Sequence, residues 1–257
     1  CRNALRRLPL AALFQKLLLT GTALQGVAPV FSQETTMRTA ILLLSGALLL
    51  GLAPPADGQV RIGAYGGITN SGLTGDAPQN AEYRKRIGPV IGALVEIPVA
   101  KNVLISVQPA WVQRGTKIAV DVEGLDERQD SLSLGLSYFS VPLLMKLETA
   151  GGKVFVNSGF EPSFLLDAKL SPVEGDGEDE DVSDLVKDFD IAINFGVGGQ
   201  FPIGLPRLTI EARYTQSLYN ISDVSVDIGA DELIPTRFRS SGFEFLAGIW
   251  IPLGGGE

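Results

Sequence analysis

The chain has no histidine, and its single cysteine is Cys1, in a sequence of 257 residues. Without imidazole or a second thiol it can form no internal disulfide and offers no thiolate–imidazole ligand set, so zinc, haem and thiol chemistry are effectively excluded. Hydrolases that activate serine or water with a base poised near neutral pH lose their usual base as well. Basic residues are scarce: 21 Lys and Arg stand against 29 Asp and Glu. Removing the five basic and two acidic residues that precede Gln59 leaves 16 against 27, a net charge near −11 that makes nucleic acid a poor partner.

A long helical membrane span is also missing. The strongest apolar run, TAILLLSGALLLGLA after Met37 and Arg38, holds about 15 residues, short for crossing roughly 30 Å of hydrocarbon. With its charged start and the small residues Ala56 and Gly58 at its end, it resembles a secretory signal peptide cleaved after Gly58. A second apolar stretch, Leu8 to Phe31, is broken by Pro9, Gln15, Lys16, Gly21 and Gly26. Residues 1–36 are therefore read as an upstream extension outside the fold, 37–58 as the export signal and 59–257 as the domain. Export without disulfides suits a Gram-negative envelope better than a cysteine-rich secreted scaffold.

What the domain has in abundance is alternation. From Asp188 to Phe201, Phe189, Ile191, Ile193, Phe195, Val197 and Phe201 share one side of a pleat, while Asp190, Ala192, Asn194, Gly196, Gly198 and Gln200 share the other. Similar patterns predict eight strands, at about 60–70, 86–98, 102–114, 135–148, 153–168, 188–201, 206–220 and 239–253. Each is long enough for a tilted strand to cross a bilayer, which takes roughly 9 to 11 residues. Connections after the second, fourth and sixth strands are tight (Val99–Lys101, Thr149–Gly152, Pro202–Pro206). Those after the first, third, fifth and seventh are long (Ser71–Lys85, Gly115–Leu134, Lys169–Lys187, Ile221–Phe238). That rotation is expected of an all-β, eight-stranded antiparallel up-and-down transmembrane β-barrel with short periplasmic turns and long outer loops, and a soluble sandwich has no reason for it.

If the apolar face meets lipid, Glu96, Lys146, Glu161, Glu211, Arg213 and Glu244 point into the barrel. A Lys or Arg facing lipid at the midplane costs about 2–4 kcal/mol, so the inward assignment is the cheap one. Side chains about fill an eight-stranded lumen, which predicts a paired ion network in place of an open channel. The alternative, a proton-handling or catalytic cluster, stays open on residue types alone.

The segments RIGAYGGITNSGLTGD, RIGPVIGALVEIPV, VLISVQPAWVQRGTK, YFSVPLLMKLE, VFVNSGFEPSFLLDAK, DFDIAINFGVGGQF and LTIEARYTQSLYNI run in order from Arg61 to Ile221. In that order the chain resembles the PorT-like outer-membrane beta-barrel family of Bacteroidota and related phyla, over roughly Val60 to Leu253. The Tyr138–Lys146 and Glu211–Asn220 stretches carry the most specific likeness. The resemblance implies an eight-stranded outer-membrane barrel and no single activity. One departure is the ending IWIPLGGGE, where many such barrels close on an aromatic residue.

The stretch from Ser171 to Asp188 holds eight carboxylates in eighteen residues. Asp176, Glu178, Asp179, Glu180, Asp181 and Asp184 could supply oxygen ligands to calcium, but their spacing fits no calcium-loop template, and a solvated outer loop is the plainer reading. Tyr65, Trp111, Tyr138, Tyr214, Tyr219 and Trp250 lie near predicted strand ends, either as interfacial girdles or as lumen packing.

These features predict a non-catalytic protein of the bacterial outer membrane without a cofactor, structural or adhesive, or accessory to an envelope or secretion assembly. A narrow channel or small-ligand barrel is the alternative, and a soluble lipocalin-like barrel with its apolar faces inward is a third. Outer-membrane lipid, periplasmic chaperones and the barrel assembly machinery are the expected partners.

Overall fold

The computed structural model describes residues 59–75, 81–120, 129–173, 178–222, 225–227, 233–235 and 238–253. The extension (1–36) and export segment (37–58) read from the sequence lie outside the described residues.

Eight antiparallel strands form the wall. They are β1 (Arg61–Gly75), β2 (Ala81–Ala100), β3 (Val103–Val107 and Ala110–Val120) and β4 (Gln129–Ser140 and Leu143–Glu148), followed by β5 (Val154–Pro172), β6 (Phe189–Pro202), β7 (Arg207–Ser217) and β8 (Phe238–Pro252). Each pairs with its neighbours in sequence, and β1 returns to β8 from Arg61↔Pro252 to Gly75↔Phe238, which closes the barrel. The breaks in β3 and β4 fall at Pro109 and Pro142, which lack the N–H that a ladder needs. Their carbonyls still accept from Ala93 and Gln108 at 2.9 Å, so the wall continues through both breaks.

The turns after β2, β4 and β6 are short, and Asn102 (φ 66°) takes the left-handed conformation that lets β2 reverse within two residues. The strands, however, run further toward the long loops than the sequence predicts: β2 begins at Ala81, β4 at Gln129, and β5 reaches Pro172. The reason is a reversal of polarity along the strands that project furthest, β3, β4 and β5 among them. In the lower wall Phe160, Phe195, Val197 and Phe245 are exposed outward, as lipid contact requires. Toward the loops the outward residues turn polar, while Ile118, Leu134, Leu136, Ala168 and Leu170 point inward with no exposure at all. The outward alternation of apolar residues therefore ends before the strands do. A bulge at Leu166 assists the change on β5: Ser137 faces Asp167 but Tyr138 faces Leu165, so the inward set passes from Glu161 and Ser163 to Ala168 and Leu170.

The acidic stretch is part of this outer end. Glu180–Asp181 pairs with Lys169 and Leu170 on β5, and a short 3-10 turn follows at Ser183–Leu185. It drops Val182 and Val186 into a cluster with Leu134, Leu170, Ile221 and Phe238. Residues 178–188 thus form a cap with an apolar underside, while Glu178, Asp179, Asp181, Asp184 and Asp188 remain exposed to solvent, as the composition suggests.

Candidate functional site

The lumen below the cap holds most of the buried charge. All six residues assigned inward from the alternation lie inside: Arg213 and Glu161 are 1% exposed, Lys146 and Glu96 2%, Glu244 3% and Glu211 8%. They fall into two tiers.

The turn-side tier joins β1, β2 and β4. Lys146 Nζ donates to Glu96 Oε1 at 2.7 Å and sits 4.2 Å from the ring centre of Phe155. Arg61 grips Glu148 with two bonds, 2.5 and 3.2 Å, and reaches Glu96 at 3.3 Å. Gln200 ties β6 in: its amide donates to Glu148 at 2.7 Å and its oxygen accepts from the Trp250 indole at 3.0 Å.

The middle tier is built on two arginines. Arg213 donates to Glu211 at 2.7 Å and to Gln108 at 2.6 Å, and lies 3.7 Å from Glu244. Arg114 bonds Glu161 and reaches Glu244 at 3.3 Å. Asn194 donates to Glu161 at 2.7 Å and Asn157 to Glu211 at 3.1 Å, filling carboxylate lone pairs that the arginines leave. Between the tiers, Tyr65, Lys146, Glu211 and Arg213 border a cavity of about 20 Å³, room for about one water.

Arg114, Arg61 and Glu148 are members that sequence reasoning missed. Arg114 shares its side of β3 with Ser106 and Gln108, but Pro109 and Gly115 interrupt the pattern there. Parity with Val112 and Thr116 was the available signal. In the middle tier Arg213 pairs with Glu211 and Glu244, and Arg114 joins Glu161 to Glu244, so the two arginines share the Glu244 carboxylate.

Of the candidate calcium ligands, Asp176 lies outside the described residues. Among the described residues no three acidic, cysteine or histidine side chains gather to hold a metal. Glu178, Asp179 and Asp184 are exposed, and the Asp181 carboxylate accepts from the Ser183 amide (2.9 Å) and hydroxyl (2.7 Å). Those bonds hold Asp181 below the usual carboxylate range. The six aromatics divide: Tyr65, Tyr138 and Trp250 pack inside, Trp111 and Tyr219 are exposed, and Tyr214 packs 5.1 Å from outward-facing Phe243.

The model of the outer membrane protein beta-barrel domain family matches residues 31–223. The chain belongs to that family. It is accordingly a protein of the bacterial outer membrane, and its grease-out lower wall is the face that meets lipid. No curated protein matches it. Among solved structures it is similar to OprG from Pseudomonas aeruginosa, at 11% identity over 78% of this chain and 98% of that one, with a TM-score of 0.47. It is also similar to the attachment invasion locus protein Ail of Yersinia pestis, at 16% identity over 75% and 99% with a TM-score of 0.41. Neisserial surface protein A follows at 11% identity over 76% and 97% with a TM-score of 0.40. At these scores none of the three likenesses carries an argument about role.

Proposed function

We propose that this protein is a non-catalytic, non-conducting barrel whose role is carried by its outer end, as a structural or adhesive protein or an accessory to an envelope or secretion assembly. The observation behind this is the filled lumen: two tiers of mutually paired ions and an apolar cap occupy it from turns to loops. An aqueous path would have to break buried ion pairs, and a general acid or base would have to be free of them. The ordered order of the seven quoted segments supports a PorT-like assignment within the family. On this reading Met37–Gly58 is removed on export, and chaperones and the barrel assembly machinery deliver the chain to the membrane.

Reconstitution into planar bilayers tests the closed lumen: the refolded protein gives no discrete conductance steps, whereas reproducible steps would favour a narrow channel. A pull-down from detergent-solubilised membranes, enriching one envelope complex or none, separates accessory from stand-alone roles.

A further inference from the structure

The outer wall of β3, β4 and β5 changes character just above the lipid belt. Trp111, Phe139 and Phe164 are register partners on adjacent strands, all exposed outward, and form an aromatic row of the kind that marks a headgroup boundary. Beyond them come Gln113, Ser137 and Asp167, again in register, and then Gly115, Gly135 and Lys169. Over this stretch lies a mainly polar cavity of about 190 Å³, which Arg86, Ser133, Ser171 and Asp179 also line.

Arg86 is the unusual member. Its side chain lies across the two glycines, the guanidinium over Gly135, where a Cβ would stand 3.4 Å from its carbon, and the stem over Gly115, where one would stand 3.3 Å from its Cδ. A Cβ at 135 would already be in van der Waals contact with it, so a side chain longer than alanine's would compete with it for the wall. It is partly buried, yet its hydrogen bond is a long one, 3.5 Å to the Arg114 carbonyl, and among the described residues no carboxylate lies within ion-pair distance of it. By contrast Lys169 is held by Asp167 at 3.3 Å. The groove therefore offers one planar, unneutralised cation beside three hydroxyls, an amide and two carboxylates. The cation suits a phosphate oxygen pair, and the hydroxyls, amide and carboxylates suit sugar hydroxyls.

We infer that this groove binds a phosphorylated saccharide, with the phosphate on Arg86 and the sugar against Ser133, Ser137 and Asp167. Its height, one step above the aromatic row, fits the headgroup of an outer-leaflet glycolipid; a soluble sugar phosphate offers the same chemistry. The inference rests on the outer-membrane placement and not on the closed lumen, so conductance would leave it standing.

The test uses the full refolded barrel in two arms. In phosphatidylcholine nanodiscs containing lipid A, native mass spectrometry counts retained lipid A. In detergent, glucosamine 1-phosphate is titrated while the Arg86 Nε resonance is followed. One bound equivalent in the first arm alone identifies the glycolipid, and in the second arm as well a free sugar phosphate; a shift of the Arg86 resonance is expected with binding. R86Q, checked as folded by its heat-modifiable gel band, weakens binding about tenfold or more, the scale of a lost charge-assisted contact. S133F, which fills the groove and leaves the guanidinium, weakens it similarly. Binding of neither probe, an unmoved Arg86 resonance at saturation, or equal binding by wild type and both variants overturns the inference.

Discussion

Replacing Arg213 with methionine tests whether the lumen ions hold the barrel together. Arg213 is 1% exposed and contacts Glu211, Gln108 and Glu244 at 2.6 to 3.7 Å. At 2.7 Å and an effective dielectric of about 20, the attraction to Glu211 alone is roughly 6 kcal/mol gross. Desolvation of both ions offsets much of that, so the pair adds little over an apolar pair of the same volume. Removing one partner is different. Glu211, 8% exposed, is left with only the 3.1 Å bond from Asn157, whereas Glu244 keeps Arg114. The expected loss is about 3–5 kcal/mol, the cost of an uncompensated buried charge.

The assay is urea unfolding in short-chain phosphatidylcholine vesicles. It can be followed by the fluorescence of the two tryptophans, Trp111 on the lipid side and Trp250 in the lumen, with the heat-modifiable gel band as a second probe. R213M lowers the midpoint with an unchanged slope. R213M combined with E211Q costs less than the two single changes added, by about 0.5–3 kcal/mol, because the orphaned carboxylate is gone. A loss under about 1 kcal/mol for R213M, the value of an exposed ion pair, or strict additivity in the cycle, would refute the reasoning.

Three further outcomes follow from other parts of the wall. Phe160 is 57% exposed on the belt, so Phe160→Arg should destabilise the barrel by about 2–4 kcal/mol in vesicles if it lies near the midplane; a neutral effect would place it outside the hydrocarbon. Val182→Asp puts a charge into the apolar cap, and the Val182 amide, bonded to Ala168 at 2.9 Å, should lose hydrogen-exchange protection while β7 and β8 keep theirs; unchanged protection would show that the cap does not depend on that burial. Asp181 has a depressed folded-state pKa, so its contribution to the turn is present above the unfolded value of about 3.9 and is lost as pH falls through the lower folded value. The carboxyl carbon resonance of Asp181 should accordingly titrate with a midpoint below about 3.9, and a midpoint at or above that value would mean that the Ser183 bonds do not form.

The strand number and the alternation of turn lengths were legible because a lipid-facing wall writes itself as period two with grease on one side, as Phe189 to Phe201 does. Parity also placed Glu96, Lys146, Glu161, Glu211, Arg213 and Glu244 inside, since each sits between outward apolar neighbours. Arg61 and Arg114 escaped for a local reason. Arg61 lies between Val60 and Ile62 but is the first residue of its strand, where alternation has only begun, and beside Arg114 stand Gln113 and Gly115, which lack the greasy flanks that define a side. The bulge at Leu166 escaped because one inserted residue leaves composition unchanged while exchanging the two faces beyond it.

The reversal of polarity is the feature that composition hid and that bears most on function. Below the aromatic row the wall is apolar outside and ionic inside, the solution for a strand between lipid and lumen. Above it, Ser133, Gly135, Lys169 and Ser171 face out while Leu134, Leu136 and Leu170 face in, the solution for a strand between water and a dry core. A chain serving only as a membrane plug would have no need of the second core, for which β2 is extended back to Ala81, β4 to Gln129 and β5 on to Pro172. That core keeps the projecting wall rigid, so Arg86, Asp167 and the serines are held in fixed register above the membrane. Preorganised polar groups lose little freedom when they bind, and for this reason the projecting wall, more than the lumen, is the part of this barrel suited to recognition.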